Sequence, residues 1–285
     1  AISRDGSRTA GSRSSVSALA RIARGSGAIA GAEKGGSSGA SAARASSSSS
    51  YTSAASSRGT AWTSSSPTPS PAASALVATP MASLVAGTGA AVYARSDAAT
   101  GRKVIALTFD DGYAPANVRA IYEILVREEV KATFFINGFY LSRDHQVWKD
   151  VAAAGFPVGN HTYYHQDIRT LTQAELKREL RMTSSAWKTV TGGGLIPYFR
   201  PPYGAYDASS ANAVAGFGYP TIVLWDTSDG DTVKGITAKA ALAAGVKGTS
   251  GSIVLLHAGP DVTPKILVDL ITSYRNRGFE FVTIP

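Results

Sequence analysis

An apolar run that ends in two carboxylates and a glycine occupies the nine residues Val104-Ile105-Ala106-Leu107-Thr108-Phe109-Asp110-Asp111-Gly112. An apolar run interrupted only by Thr108 predicts a buried strand. In α/β proteins the carboxyl ends of strands carry the functional groups, and successive side chains of a strand point to opposite faces. One aspartate can therefore bind a cation while its neighbour stays free to move a proton. Taken alone, the same residues also fit an acidic turn, because Asp-Gly is frequent in turns.

Strand and helix signals alternate from this strand to the end of the chain. The predicted strands cover 104–109, 132–136, 156–160, 198–199, 221–225, 252–257 and 279–284. The predicted helices cover 115–129, 139–154, 172–190, 207–216, 236–247 and 262–276. The alternation predicts an α/β fold with about seven parallel strands, closed or nearly closed as a (β/α) barrel, with a doubly wound sheet as the alternative.

The first 90 residues differ in composition from the rest of the chain. Ser, Ala, Gly and Arg dominate the segment 1–90, which is too poor in large apolar residues to offset the entropy of ordering the chain. It carries eight of the 28 Lys and Arg but two of the 20 Asp and Glu, so most of the net charge of +8 lies there. We expect 1–90 to be a disordered low-complexity tail or linker and 91–285 to be a nearly neutral catalytic domain.

Two features of the sequence concern its cellular context. The chain has no cysteine, which excludes disulfides and thiolate metal sites. A signal-like pattern is absent at residue 1, although the uncharged segment 75–94 ends in Val92-Tyr93-Ala94 and is a candidate signal or anchor remnant. Pro80 and two glycines dilute this segment, so we expect a linker that runs into the first strand and no transmembrane span.

His161 and His165 follow the third predicted strand and are half of the four histidines of the chain. Two histidines four residues apart lie on the same face of a helical turn, so both rings can converge on one ion. The aspartates at the end of the first strand add an anionic ligand. Two His and one carboxylate with an open position form the ligand set that a catalytic zinc needs.

Two further strand ends carry residues suited to catalysis. Arg200 begins an Arg-Pro-Pro-Tyr-Gly loop, and beside the free aspartate it would hold that carboxylate ionised and oriented. The paired prolines stiffen this loop and leave the backbone N–H of Tyr203 as a candidate oxyanion donor. His257 ends an apolar strand and can serve as a general acid.

These segments together resemble the ordered motifs of the polysaccharide deacetylases, carbohydrate esterase family 4. The motifs lie at 108–112, 161–165, 200–204 and 255–257, and the resemblance covers 92–285. It implies a distorted (β/α) barrel with fewer than eight strands. It also implies the following roles: Asp110 as general base, Asp111 with His161 and His165 as metal ligands, Arg200 as the residue that orients the base, Tyr203 as oxyanion donor, His257 as general acid and Leu255 as a wall of the acetyl pocket.

One motif departs from the family pattern. Trp225 is followed by Asp226, Asp229 and Asp231, and Thr232 or Gly230 stands where the family usually has a second Trp. The spacing favours Asp231 as the acid that supports His257, with Asp229 as its rival.

The expected activity is metal-dependent hydrolysis of acetyl groups on an N-acetylated glycan, either peptidoglycan or chitin-type oligomers. We expect Zn²⁺ as the metal, with Co²⁺ or Ni²⁺ as alternatives. An O-acetyl esterase acting on xylan and a catalytically silent glycan-binding scaffold are the competing interpretations. We expect a secreted or cell-envelope monomer that binds no nucleic acid.

Overall fold

The computed structural model describes residues 80–84, 90–96 and 101–284. The segment 1–90, expected to be a low-complexity tail, lies outside the described residues except for 80–84 and Ala90. The candidate signal segment 75–94 is likewise described only in part. None of the helices in the described ranges combines the length and apolar character needed to cross a membrane.

The described residues form ten strands and six α-helices. The strands are β1 Pro80–Leu84, β2 Ala91–Ser96, β3 Val104–Asp111, β4 Ala132–Ile136, β5 Val158–Asn160, β6 Tyr198–Phe199, β7 Thr221–Val223, β8 Thr227–Ser228, β9 Ser252–His257 and β10 Glu280–Phe281. The helices are α1 Pro115–Arg127, α2 His145–Ala153, α3 Gln173–Thr191, α4 Ala208–Gly216, α5 Ala238–Gly245 and α6 Val262–Asn276. Three 3-10 helices, Gly138–Arg143, Ile168–Thr170 and Pro202–Gly204, lie in connections.

The strands confirm the predicted parallel barrel. Their order is β1-β2-β7-β6-β5-β4-β3-β9-β8, and all neighbours from β2 to β8 in this order pair in parallel. One further residue pair, Arg95 with Ser252, joins β2 to β9 in the antiparallel sense. The seven strands from β2 to β9 therefore form a ring, as in a barrel and unlike a doubly wound sheet.

Three local predictions needed correction. The seventh strand of the ring is β2, which the sequence did not predict as a strand, whereas the strand predicted over 279–284 is only Glu280–Phe281 beside β3. The two-residue strand β8 was also missed. The helix predicted over 139–154 is divided into the 3-10 helix Gly138–Arg143 and α2, because Asp144 caps α2 by accepting the N–H groups of Gln146 and Val147.

Strand β3 separates two layers of the core. Ile105, Leu107 and Phe109 pack into a cluster with apolar residues of α1, α2 and α6, whereas Val104 and Ala106 belong to the cluster inside the barrel. Thr108 and Asp110 share the parity of Val104 and Ala106, so they lie on the interior face at the carboxyl end of the strand. The hydrophobic pattern thus fixes which aspartate points into the barrel.

Helix α3 is held by the predicted capping box. Thr172 and Glu175 each accept the other's backbone N–H, and Gly192 ends the helix with φ of 77°. These contacts fix the helix that packs beside the loop after β5.

The chain turns sharply after β3. Asp111 has φ of 74°, and Gly112 has φ of 102°. A Cβ placed on Gly112 would lie 2.4 Å from a ring carbon of Trp148, which is buried in the helical layer. Glycine is required here both by backbone conformation and by space.

We predict that Gly112→Ala lowers the free energy of unfolding by roughly 3 kcal/mol, since it adds overpacking against Trp148 to the strain of positive φ. Gly155→Ala is the matched control, because Gly155 has φ of 78° but no atom within 4 Å of the added Cβ. Urea denaturation of both variants measures the difference. Equal losses in the two variants would contradict the steric part of the prediction.

Candidate active site

The predicted site residues lie along one edge of the barrel. Asp110 and Asp111 end β3, His161 follows β5, Arg200 follows β6 and His257 ends β9. Because these strands are parallel, their carboxyl ends meet at this edge. Asp110 and His257 are partners in the pairing of β3 with β9 and therefore stand side by side.

Asp111, His161 and His165 converge on one point. Asp111 Oδ1 lies 3.7 Å from Nε2 of His161 and 3.7 Å from Nε2 of His165, and the three candidate ligand atoms lie within 4.8 Å of one another. The convergence does not come from a helical turn, contrary to the sequence-based reasoning. The segment 161–165 is a loop in which Thr162 and His165 have φ of 64° and 57°.

The chemistry of these three groups fits a divalent cation. Asp111 Oδ1 is buried and has no hydrogen-bond partner among the described residues. The ring of His161 donates from Nδ1 to the carbonyl oxygen of Arg200 at 2.7 Å, which leaves the lone pair of Nε2 directed at Asp111. Burial, with His165 close by, lowers the pKa of His161 to about 3, so this ring is neutral and able to bind a metal.

The loop that carries the two histidines is held by residues that the sequence analysis missed. Asn160 Oδ1 accepts the N–H of Thr162 at 2.9 Å, and Asn137 donates to the carbonyl oxygen of His161 at 2.6 Å. Glu179 of α3 accepts two N–H groups with Oε2, from Tyr163 at 2.9 Å and from Tyr164 at 2.8 Å.

A signal for Glu179 was present in the sequence. It stands on the buried face of α3 together with Leu176, Leu180 and Thr183, the spacing of an apolar helix stripe. A carboxylate in such a stripe is costly to bury unless it accepts hydrogen bonds. Its presence there indicates a buried partner, which is the loop 161–165.

Arg200 is fully buried and fixes Asp110. Its Nη1 donates to Asp110 Oδ1 at 2.7 Å and to the hydroxyl of Thr108 at 2.8 Å. Its Nε and Nη2 donate to the carbonyl oxygens of Val223 and Leu224. Burial raises the pKa of Asp110, and the charge of Arg200 opposes that rise. The result is an oriented carboxylate with one oxygen left free, 3.7 Å from Nε2 of His161.

Asp231, and not Asp229, contacts the ring of His257. Asp231 Oδ1 lies 2.7 Å from Nδ1 of His257, and Oδ2 accepts the N–H of His257 and the hydroxyl of Thr263. Burial opposes the charged imidazolium, but the charge of Asp231 outweighs it and raises the pKa of His257 to about 10. Asp229 instead accepts the N–H of Asp231, and burial beside that second carboxylate raises the pKa of Asp229 to about 8.

The two remaining predicted residues border this group. Tyr203 lies in the 3-10 helix Pro202–Gly204 with φ of 60°, and its ring packs edge-on against His165 at 4.6 Å between centroids. Leu255 is buried on β9 two residues before His257 and shares its strand face. Positive φ at non-glycine residues is concentrated here: among the described residues it occurs at Asp111, Glu129, Thr162, His165 and Tyr203, and four of these five belong to the site.

The sequence matches known glycan deacetylases. The polysaccharide deacetylase family matches residues 97–222. The chain is 30% identical over 190 residues to the peptidoglycan N-acetylmuramic acid deacetylase PdaA of Bacillus subtilis, covering 65% of this chain and 71% of that protein. It is 30% identical to the chitin deacetylase of Colletotrichum lindemuthianum, covering 73% and 91%. It is 34% identical to the peptidoglycan N-acetylglucosamine deacetylase PgdA of Listeria monocytogenes, but spans only 38% of that longer protein.

Solved structures show the same architecture. A carbohydrate esterase of family 4 from Streptomyces lividans, in complex with acetate, superposes with a TM-score of 0.58 at 28% identity, covering 63% of this chain and 91% of that one. A family 4 pseudoenzyme from Bacillus anthracis superposes with a TM-score of 0.62 at 26% identity, covering 68% and 67%. Since a pseudoenzyme shares the fold, catalysis has to be argued from the site residues.

We predict that Glu179→Ala weakens Zn²⁺ affinity by about 10- to 100-fold, because loss of a group that orients a ligand loop typically costs this much. Glu179→Gln keeps an acceptor oxygen and is expected to lose less. Competition with a chromogenic chelator measures the affinities.

The control for this comparison is Glu123→Gln, which removes an exposed carboxylate of α1 and leaves the loop untouched. Unchanged Zn²⁺ affinity in a folded Glu179→Ala variant would show that the two N–H contacts do not position the ligands.

Proposed function

The chain belongs to the polysaccharide deacetylase family, and we propose that it is a metal-dependent hydrolase that removes acetyl groups from N-acetylated glycans. The observation that carries this proposal is the juxtaposition at the barrel edge. A free carboxylate oxygen of Asp110 and a protonated His257 flank the three candidate ligands Asp111, His161 and His165. A binding scaffold has no need of an oriented base and an acid at the same point.

The metal would be held by Asp111, His161 and His165. A donor set of two imidazoles and one carboxylate suits Zn²⁺, with Co²⁺ or Ni²⁺ as alternatives. When bound, such a cation lowers the pKa of water and polarises a carbonyl group.

Asp110 acts as the general base. It takes a proton from the water that attacks the acetyl carbonyl, so that a new C–O bond forms as the proton moves to the carboxylate. Arg200 leaves one oxygen of Asp110 free for this proton and keeps the side chain in one orientation through Thr108 and two backbone carbonyls. The backbone N–H of Tyr203 stabilises the negative charge that develops on the acetyl oxygen.

His257 acts as the general acid. The C–N bond of the acetamido group breaks as His257 gives a proton to the departing amine, so that acetate and the free amino sugar are the products. Asp231 keeps the ring protonated and oriented through Nδ1, which leaves Nε2 for the substrate. Leu255, on the same strand face, forms a wall against the acetyl methyl group.

The relatives support a glycan as substrate and a location outside the cytoplasm. Two of them are named for peptidoglycan and one for chitin, and both polymers lie outside the cell membrane. We propose a secreted or envelope-associated monomer. An O-acetyl esterase would use the same groups, because water attack and oxyanion stabilisation are common to amides and esters, and it is the second candidate.

Acetate release by the full chain tests the proposal. Chitin oligomers, peptidoglycan and acetylated xylan are compared as substrates, each after chelation of the metal and again after Zn²⁺ is restored. Zn²⁺-dependent release from a glycan amide is the expected result. Release from xylan alone would favour the esterase. No release from any polymer, with one equivalent of Zn²⁺ bound, would favour the silent scaffold.

Two variants distinguish the role of Asp110 as general base from the role of Asp111 as metal ligand. We predict that Asp110→Asn still binds Zn²⁺ but loses about 100- to 10,000-fold in kcat, the usual contribution of a general base. Asp111→Ala is predicted to lose Zn²⁺ binding and turnover together. Zn²⁺ titration and acetate assays measure both properties, and normal turnover by Asp110→Asn would refute the assignment of the base.

A third variant tests the general acid. Activity should fall as pH rises through the pKa of His257, because only the imidazolium can donate the proton. Asp231→Asn removes the charge that raises this pKa, so the alkaline limb of the kcat/KM profile should move to lower pH. Asp269→Asn on the exposed side of α6 is the control and should leave the profile unchanged. An alkaline limb that stays in place in Asp231→Asn would contradict the role of His257.

A further inference from the structure

Large exposed apolar side chains are concentrated beside the candidate active site. In the described part of the chain five such residues occur, and three of them are aromatic: Phe139, 43% exposed, Tyr164, 51% exposed, and Tyr203, 40% exposed. Tyr164 lies in the loop between the two histidines, and Tyr203 packs on His165. Exposed aromatic rings clustered at a site indicate a binding surface.

Two of these exposed rings, Phe139 and Tyr164, form a continuous surface with the neighbouring ring of Tyr163. We call these three residues the aromatic platform. The ring centroids of Tyr163 and Tyr164 lie 4.7 Å apart, and Phe139 lies 5.6 Å from Tyr164 and 6.2 Å from Tyr163. The N–H of Phe139 donates to the carbonyl oxygen of Tyr163 at 3.2 Å. The platform is thus tied to the loop that carries His161 and His165.

The platform borders a basic groove. Tyr163 also lines a groove of about 530 Å³ along α3, together with Arg178 and Arg181. These two arginines are three residues apart and therefore share one face of the helix. Both are exposed.

The cations of this groove outnumber the acids beside them. Lys177, Arg178 and Arg181 line the groove, whereas one exposed carboxylate of the helix lies near them, that of Glu175, whose pKa is lowered by hydrogen bonds from Thr172 and by the charge of Arg178. Among the described residues no carboxylate oxygen lies within ion-pair distance of Arg178 or Arg181, and the two glutamates of α3 accept their hydrogen bonds from other groups. Glu175 closes the capping box with Thr172, and Glu179 is buried on the N–H groups of Tyr163 and Tyr164. The arginines remain available to an anionic ligand.

We propose that the substrate is an anionic glycan, whose sugar rings stack on the aromatic platform and whose carboxylates bind Arg178 and Arg181. This inference rests on the proposed function and narrows its substrate. The apolar C–H face of a pyranose ring packs on aromatic rings, and the guanidinium group is suited to carboxylates. A carboxylate-bearing polymer such as peptidoglycan can contact both the aromatic platform and the two arginines, whereas neutral chitin can contact only the platform.

The test compares the activity of the Zn²⁺-loaded chain, residues 1–285, on N-acetylated oligomers of equal length, with and without carboxylate substituents. The double variant Arg178→Gln with Arg181→Gln is expected to lower the ratio of kcat/KM for anionic over neutral oligomers by about fivefold, the effect of two exposed charge pairs. The charge-matched control is Lys188→Gln with Lys239→Gln, two exposed lysines away from the platform, which should leave the ratio unchanged. If the ratio of kcat/KM for anionic over neutral oligomers is the same in the wild type and in the arginine double variant, the proposal is wrong.

A second arm tests the platform. Phe139→Ala should raise KM for both kinds of oligomer with little change in kcat, because the ring contacts the chain and not the acetyl group. If KM is unchanged, stacking on the platform is refuted.

A binding measurement keeps this inference separate from the proposed activity. Calorimetric titration of Asp110→Asn, whose turnover is expected to be too slow to consume the ligand during the titration, gives the affinity for anionic and neutral oligomers directly. Tighter binding of anionic oligomers that weakens with the arginine substitutions and with added salt supports the groove even if no acetate is released. Equal affinity for both oligomers overturns it even if the enzyme is active.

Discussion

The buried contact between Arg200 and Asp110 is the constraint on which the rest of the site depends. Arg200 ties the end of β3 to β7 and the segment after it, through Asp110, Thr108 and two backbone carbonyls, while its own carbonyl oxygen orients the ring of His161. One residue therefore fixes both the carboxylate proposed as base and a proposed metal ligand. A charge buried this deeply is stable only because every N–H direction it uses meets an acceptor.

The fold and the location of the site could be predicted because both depend on short-range patterns. Alternating strand and helix signals indicate parallel strands, and parallel strands bring their carboxyl ends to one edge. The apolar run before Asp110 was enough to predict that its side chain and that of Asp111 would differ in environment. Strand β2 escaped prediction because its pairing with β7 and β9 involves residues far apart in the sequence.

Details of the loops could not be predicted from spacing. His161 and His165 do converge, but through left-handed residues in a loop that Asn160, Asn137 and Glu179 hold in place, not through helical periodicity. For Asp229 and Asp231 the spacing from Trp225 favoured Asp231, but it left Asp229 as a rival because both lie near the same strand. The choice is made by contacts from β9 and α6 that no local pattern encodes.

The left-handed backbone at Asp111, Thr162, His165 and Tyr203 also has a consequence for how such a chain evolves. Non-glycine residues in this conformation cost about 1–3 kcal/mol each, so the backbone of the edge proposed to carry the chemistry lowers the stability of the fold. Substitutions that relax these positions would be favoured by stability and opposed only by activity. If selection for activity ceases, these left-handed residues should therefore be among the first to be substituted. The resulting protein should be an inactive barrel that is more stable than its ancestor.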